Sequence, residues 1–573
     1  MMLRLLLLLT LCTTVAQAAP NPITSGAKVQ PSFSGEVDLD PLDTLAVWQD
    51  GRLKSFDSFT RSIMQFITGP RMIDGQSPSF TYMDLVFRPG SYEDIPVIYV
   101  KKKPVRAAII NAALSKPGVT VQELDEFMET GLVRPSLLRI PEVSERLSLM
   151  RSDVLRFAKP VDEITTAMQL LQPDVLRRQL FIIPPFSGSF DDPWQTLDGY
   201  ENSFAQIDSG AAGNDSLVRQ WKELGEGWTA QNAEAVNAAI VNLGGWVPSM
   251  CRSVFIDYPS EERLQLESAY FKWKSFNWVW MIYLLAIILL LMGIVYHWRA
   301  ASWGGLFIFL FAFSLHTVAI MLRWYISGRW PNTNMFEAVT TSTWFGCCFA
   351  ILVELFIQRT RMRTLFALSA SIAAMVALMA ASFMPLHLSP HISNKMPVLH
   401  DVWLYIHTNV IIFSYVLIFL AAVSAILYLL LRGWRRLNGG EGIREYVSAG
   451  GVGSLIIRRR GGEAALLDQR TSFGAVLDGT TMILVELSFI LLWAGLVMGA
   501  IWADHSWGRP WGWDPKEVFA LNTFLIYAIL IHVRWKSPDK GFWTALLAVI
   551  GCAVMLFNWI IINFTISGLH SYA

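Results

Sequence analysis

Hydrophobic and polar positions divide this chain into two unlike stretches. From about residue 275 onward, eight apolar runs follow one another, at about 277–296, 304–325, 338–357, 364–384, 408–431, 479–502, 518–535 and 542–562. A helix of about 20 residues crosses the roughly 30 Å hydrocarbon layer of a bilayer, so each run is long enough to span it. Before them the pattern is polar and interrupted. Residues 121–128 and 217–243 carry helical amphipathic spacing, and Pro135, Pro141, Pro160 and Pro173 cut the region into short helices. Residues 97–100 read as a short strand that runs into Lys101-Lys-Lys103, a solvated basic face. At the start, Arg4, a leucine run and Ala16-Gln-Ala18 have the form of a secretory signal, with an uncleaved anchor as the alternative. The expected fold is mainly α: a signal peptide over 1–18, a largely helical extracytoplasmic domain over 19–274, and a polytopic membrane helix bundle of about eight spans over 275–573.

Charge sets the orientation of this bundle. A signal-directed domain sends the first run inward, and the remaining runs alternate. The connections then expected in the cytoplasm carry fifteen Lys and Arg, against five in those expected outside, which agrees with the positive-inside rule. The Gly/Arg-rich insert 432–478 contains Gly450-Gly-Val-Gly453 without a following Gly-Lys-Ser/Thr, so it reads as a cytoplasmic linker and not a phosphate loop. Hydrophobic residues make up 53% of the chain and charged residues 16%, too apolar for an ordinary soluble domain. The formal net charge is zero, which offers no global field for nucleic acid. The five cysteines include no C-x-x-C pair and no C-x-x-C-H, so neither a redox dithiol nor a covalent haem attachment site belongs to this chain.

One stretch stands apart. Residues 502–517 hold four tryptophans (Trp502, Trp507, Trp511, Trp513), His505 and five charged residues, between two of the apolar runs. Flat indole faces beside Gly/Pro turns suit a large planar aromatic guest, and Arg509 and Lys516 suit its carboxylates. An interfacial aromatic belt would also collect tryptophan, but it does not require Trp513-Asp514-Pro-Lys516-Glu517 in one turn.

This run resembles the WWD signature of haem-handling proteins in cytochrome c maturation, and its ending is similar to the CcsA/ResC branch (system II). Further segments fit the same family: His316-Thr, Leu322-Arg323-Trp324-Tyr325, Asn334-Met-Phe-Glu337, Trp403-Leu-Tyr-Ile-His407 with Ser414-Tyr415, His532-Val-Arg534 and Gly568-Leu-His570. The resemblance implies that haem b is held outside the membrane between axial ligands His407 and His570, over Trp507, Trp511, Trp513 and Asp514. It implies a second haem position inside the membrane at His532, with its opposite ligand from a ResB-like (CcsB) subunit on a separate chain. His505, inside the loop, is an unassigned histidine that competes as a ligand; His316 is either an intrachain substitute for the partner's ligand or a helix-packing donor, with packing favoured; and His387, His391 and His400 form a further external group. Arg509, Lys516 and Arg323 are the expected propionate partners; Asp514, Glu517 and Glu337 are expected to pair with such bases and hold the loop.

The expected function is a haem-binding and haem-delivering subunit of a holocytochrome c synthase in the bacterial cytoplasmic membrane. It would present haem at the outer face for thioether attachment to the C-x-x-C-H of apocytochrome c, which a thioredoxin-like protein keeps reduced. Two other classes remain: a haem exporter or chaperone without synthase activity, and a di-haem quinol oxidoreductase, which would instead need paired histidines inside the spans.

Overall fold

The computed structural model describes residues 31–49, 51–114, 116–154, 156–185, 192–197, 199, 214–255, 257–356, 364–385, 388–392, 401–438 and 473–562. The signal segment 1–18, most of the insert 432–478, His387, His400 and His570 lie outside the described residues. The chain falls into two compact units that divide between Phe271 and Lys272.

The first unit is built of short helices, as its prolines and caps dictate. Ser55 accepts the Ser58 N–H at the head of Phe56–Thr68, and Ser77 accepts the Phe80 N–H at the head of Pro78–Phe87, where Pro78 occupies the first turn. Pro135, Pro141 and Pro173 each open a helix. The stretch 217–243 becomes two helices, Asn214–Thr229 and Ala233–Val254. Among the described residues three two-stranded antiparallel ribbons join them, and the strand read at 97–100 is Ile98–Tyr99, paired with Leu132–Val133. Lys101, Lys102 and Lys103 are exposed. The core gathers around Trp228, Phe33, Phe80 and Tyr82; at its centre the buried Asp84 accepts hydrogen bonds from Tyr92 Oη (2.7 Å) and Trp228 Nε1 (2.8 Å).

The second unit is a helix bundle. Among its described residues eight helices are long and apolar enough to cross a membrane, which makes this a multi-pass membrane protein. We number them α1 (Trp280–Val295), α2 (Arg299–Ser327), α3 (Met335–Phe356), α4 (Leu365–Phe383), α5 (Val402–Leu437), α6 (Phe473–Trp507), α7 (Pro515–Lys536) and α8 (Lys540–Leu556), the last running into a π-helical turn at Phe557–Ile562. Both α5 (36 residues) and α6 (35 residues) outrun their apolar cores. At 1.5 Å per residue each is longer than about 50 Å, so their polar ends project beyond a 30 Å hydrocarbon layer. Two sequence-based expectations shift in consequence. His407 lies inside α5 instead of at its start, and the Trp-rich loop 502–517 contracts, because Trp502 to Trp507 complete α6 and Pro515 opens α7.

Buried and half-buried ion pairs fasten both ends of the bundle. At one end Arg323 and Arg329 share the Glu337 carboxylate, and Arg323 also donates to the carbonyls of Pro390 (2.7 Å) and His391 (3.1 Å). At the other, Arg534 makes a bidentate pair with Asp478, 2.8 Å at each contact, and donates to Thr544; Arg432 pairs likewise with Asp539.

Candidate functional site

Five segments converge on one cleft of about 290 Å³ at the end of the bundle where α2 meets α3 and α6 meets α7. The N-terminal turn of α3 contributes Asn334 and Met335. Helix α5 contributes His407, Ile411 and Tyr415, and α6 contributes Gly499 and Trp502. The connection and first turn of α7 contribute Pro510, Trp511, Lys516 and Glu517. Asn558 and Trp559 come from the π-helical turn after α8. The wall is mostly aromatic and aliphatic with a few polar groups, the usual character of a site for an organic ligand.

Among the described residues that line the cleft, His407 is the one histidine. Its Nδ1 lies 2.8 Å from the carbonyl oxygen of Gly495. A carbonyl only accepts, so Nδ1 carries a proton. In the neutral ring this puts the lone pair on Nε2, the tautomer in which an imidazole can bind a metal through that nitrogen.

The connection between α6 and α7 is ordered by a capping box. Asp514 accepts the Lys516 N–H (3.2 Å), while Glu517 Oε2 accepts the N–H groups of Gly512 (2.9 Å) and Asp514 (3.2 Å). Pro515 at the first helical position fits because no N–H is required there. Bracketed by these bonds, Trp513 adopts φ +55° and stays 73% exposed. Trp511 turns the other way, into the cleft, and meets Trp513 edge-on. The Asp-Pro-x-Glu part of the motif is thus a helix start, and Asp514 is buried in that cap outside the cleft wall.

The remaining predicted residues separate. Trp507 packs edge-on against Trp502, which is buried and itself lines the cleft. Lys516 lines the cleft; Arg509 is exposed, outside the wall. Arg323 is not positioned as a propionate partner, because it is buried against Glu337, the pairing expected for that acid. His505 is exposed with its Nδ1 3.8 Å from the Asp401 carboxylate, away from the cleft wall. His316 is enclosed by α1 and α3, its Nδ1 3.4 Å from Tyr283 Oη, which in turn meets Cys347. His532 sits on the exposed face of α7 with Nδ1 donating to the Ala528 carbonyl at 2.7 Å, so it shares no enclosed space with His316. Sixteen residues separate Lys516 from His532 on α7, which places His532 about 24 Å along the helix from the cleft.

Trp502, Trp559, Asn558 and Gly499 belong to the cleft but were not among the expected haem contacts. The Gly495/Gly499 spacing was a legible signal of close helix approach; Asn558 and Trp559 depend on the π-helical turn, which no sequence pattern announced.

Eight apolar spans around an aromatic cleft define a multi-pass membrane protein with a site for an organic ligand. Comparison with known proteins gives the family. Residues 333–570 match the Cytochrome C assembly protein family. The chain is 30% identical over 274 residues to the cytochrome c biogenesis protein CcsA of Pyropia yezoensis, covering 45% of this chain and 82% of that protein. It is 31% identical over 261 residues to CcsA of Parasynechococcus marenigrum, covering 45% and 82%. Protein NrfI of Wolinella succinogenes is 26% identical over 548 residues, 91% of this chain and 53% of that protein. The chain belongs to the CcsA family of cytochrome c biogenesis membrane proteins. A match over 91% of the chain is too long for the membrane unit alone, so the likeness to NrfI extends into the first unit.

Proposed function

We propose that this protein is the haem-binding and haem-delivering subunit of a cytochrome c synthase, acting with a ResB-like membrane subunit in the bacterial cytoplasmic membrane. The observation that carries the reading is His407, an imidazole with its tautomer fixed for ligation through Nε2 in the wall of an aromatic cleft. Trp511 and Trp559 offer flat apolar surface for a porphyrin, with Trp502 buried in the wall beside them, and Lys516 offers a cation for a carboxylate. His570 is proposed as the opposite axial ligand. The cleft end is proposed to face outward, as the bias in Lys and Arg indicates. His532, exposed on α7 and remote from the cleft, suits an earlier haem position completed by a partner, since an ionisable side chain at membrane depth calls for one.

In this reading the chain contributes placement. His407 and the indoles hold the porphyrin while a reduced C-x-x-C-H segment docks, and proximity lowers the barrier to reaction. Each cysteine thiol adds across one vinyl double bond: a carbon–sulfur bond forms and the thiol hydrogen passes to the other vinyl carbon, so the addition is redox-neutral. The histidine of the incoming segment then replaces one axial imidazole.

The test is reconstitution of the purified chain with its partner, ferrous haem and a reduced apocytochrome. Thioether-linked product supports the synthase reading, whereas haem transfer without thioether formation makes the protein a haem chaperone.

A further inference from the structure

The ligand histidine needs a socket, and α6 supplies one. Gly495 and Gly499 are one helical turn apart and so share a face of α6. His407 and Ile411 are likewise one turn apart on α5. The two pairs interlock. A Cβ added at Gly499 would lie 2.6 Å from His407 Cε1 and 2.8 Å from Nδ1, and one added at Gly495 would lie 2.5 Å from Ile411 Cδ1. The imidazole therefore rests on bare backbone at Gly499, a place where any other residue would push the ring aside. The same helical turn holds the proton: the Gly495 carbonyl, which faces Gly499 in the helical ladder, accepts the His407 Nδ1–H through its second lone pair.

We propose that Gly499 and the Gly495 carbonyl are positioning elements for the axial ligand, fixing both the orientation of the His407 ring and the nitrogen it presents to iron. This rests on His407 being a haem ligand. The acceptor is a neutral carbonyl that no side-chain substitution removes, and a neutral acceptor makes the ring a weaker ligand than a carboxylate partner would. Such a ligand suits a haem that must later be handed over.

An ordinary packing role for glycine predicts only a change in stability, so the test reads the iron. The full chain is purified with its haem-bearing partner as Gly499→Ala, His407→Ala, the double variant and Gly346→Ala. The last is an overpacking control: its methyl meets Val416 on α5, away from the imidazole. The proposal predicts that Gly499→Ala weakens haem retention roughly 10- to 100-fold, the usual effect of losing second-sphere support, and shifts the low-spin spectrum, while Gly346→Ala leaves the spectrum unchanged. It also predicts that added imidazole restores the low-spin spectrum of His407→Ala but not of the double variant, in which the methyl occupies the vacated socket. A wild-type spectrum in Gly499→Ala, or equal rescue of the single and double variants, overturns the socket with His407 still a ligand. An unchanged spectrum in His407→Ala overturns the ligand reading and the socket with it.

Discussion

Glu517 accepts the backbone N–H of Asp514 at 3.2 Å, while Asp514 caps the helix on which Glu517 stands. This reciprocal closure orders the turn from Gly508 to Asp514 and sends Trp511 inward and Trp513 outward. Asp514→Ala is expected to cost about 1 kcal/mol of stability, the usual loss for a helix cap, and to loosen Trp511. Thermal unfolding in detergent and the accessibility of Trp511 to a soluble quencher check both parts. Asp514→Asn keeps a capping oxygen and should retain most of the order.

Arg323 and Glu337 form the buried joint behind the cleft. Removing one partner of a buried ion pair leaves an uncompensated charge, at a cost of about 3–5 kcal/mol. Arg323→Ala is expected to destabilise the bundle more than Arg329→Ala, because Arg323 also holds the carbonyls of Pro390 and His391 and is the more deeply buried of the two. Denaturation of the two variants side by side decides the order.

At the other end, His532 and Arg534 are near neighbours in sequence with opposite roles. Arg534 is buried against Asp478 and Thr544, while His532 is exposed. Arg534→Ala should lower stability by about 3–5 kcal/mol. His532→Ala should leave the stability of the isolated chain unchanged, yet reduce the haem that copurifies with the partner complex. Equal stability losses in the two variants would remove the distinction.

In the first unit, burial pushes the Cys251 thiol up to about 12 from an ordinary value of 9.0. Its thiolate is therefore disfavoured in the folded state, and Cys251 should resist alkylation at pH 8 until the unit unfolds. Because the folded value is the higher one, the associated stability is complete below about pH 9 and is lost as pH rises toward about 12. Rapid native alkylation at pH 8 would contradict this.

The eight spans were legible because long apolar runs leave a bilayer few alternatives. Their ends were not, since α5 and α6 continue through polar residues such as His407 and Asp504 that no hydropathy window includes. Glu337 was readable as a partner for an arginine, but the choice of Arg323 depends on how α2 and α3 fold back on each other. The Asp514/Glu517 spacing was readable as a helix start, although the surrounding tryptophans placed Asp514 among the expected haem contacts. Which indoles face the cleft was not legible: Trp507, Trp511 and Trp513 look equivalent in sequence, and one strained turn separates them. Trp559 reaches the cleft only through the π-helical turn that ends α8.

The most direct measurement is the electron paramagnetic resonance spectrum of the ferric protein purified with its partner. The account predicts a low-spin bis-imidazole signal from haem in the cleft, converted to a high-spin signal or lost by His407→Ala and by His570→Ala, and retained in His505→Ala. An unaltered bis-imidazole signal in both His407→Ala and His570→Ala would show that the iron is held elsewhere.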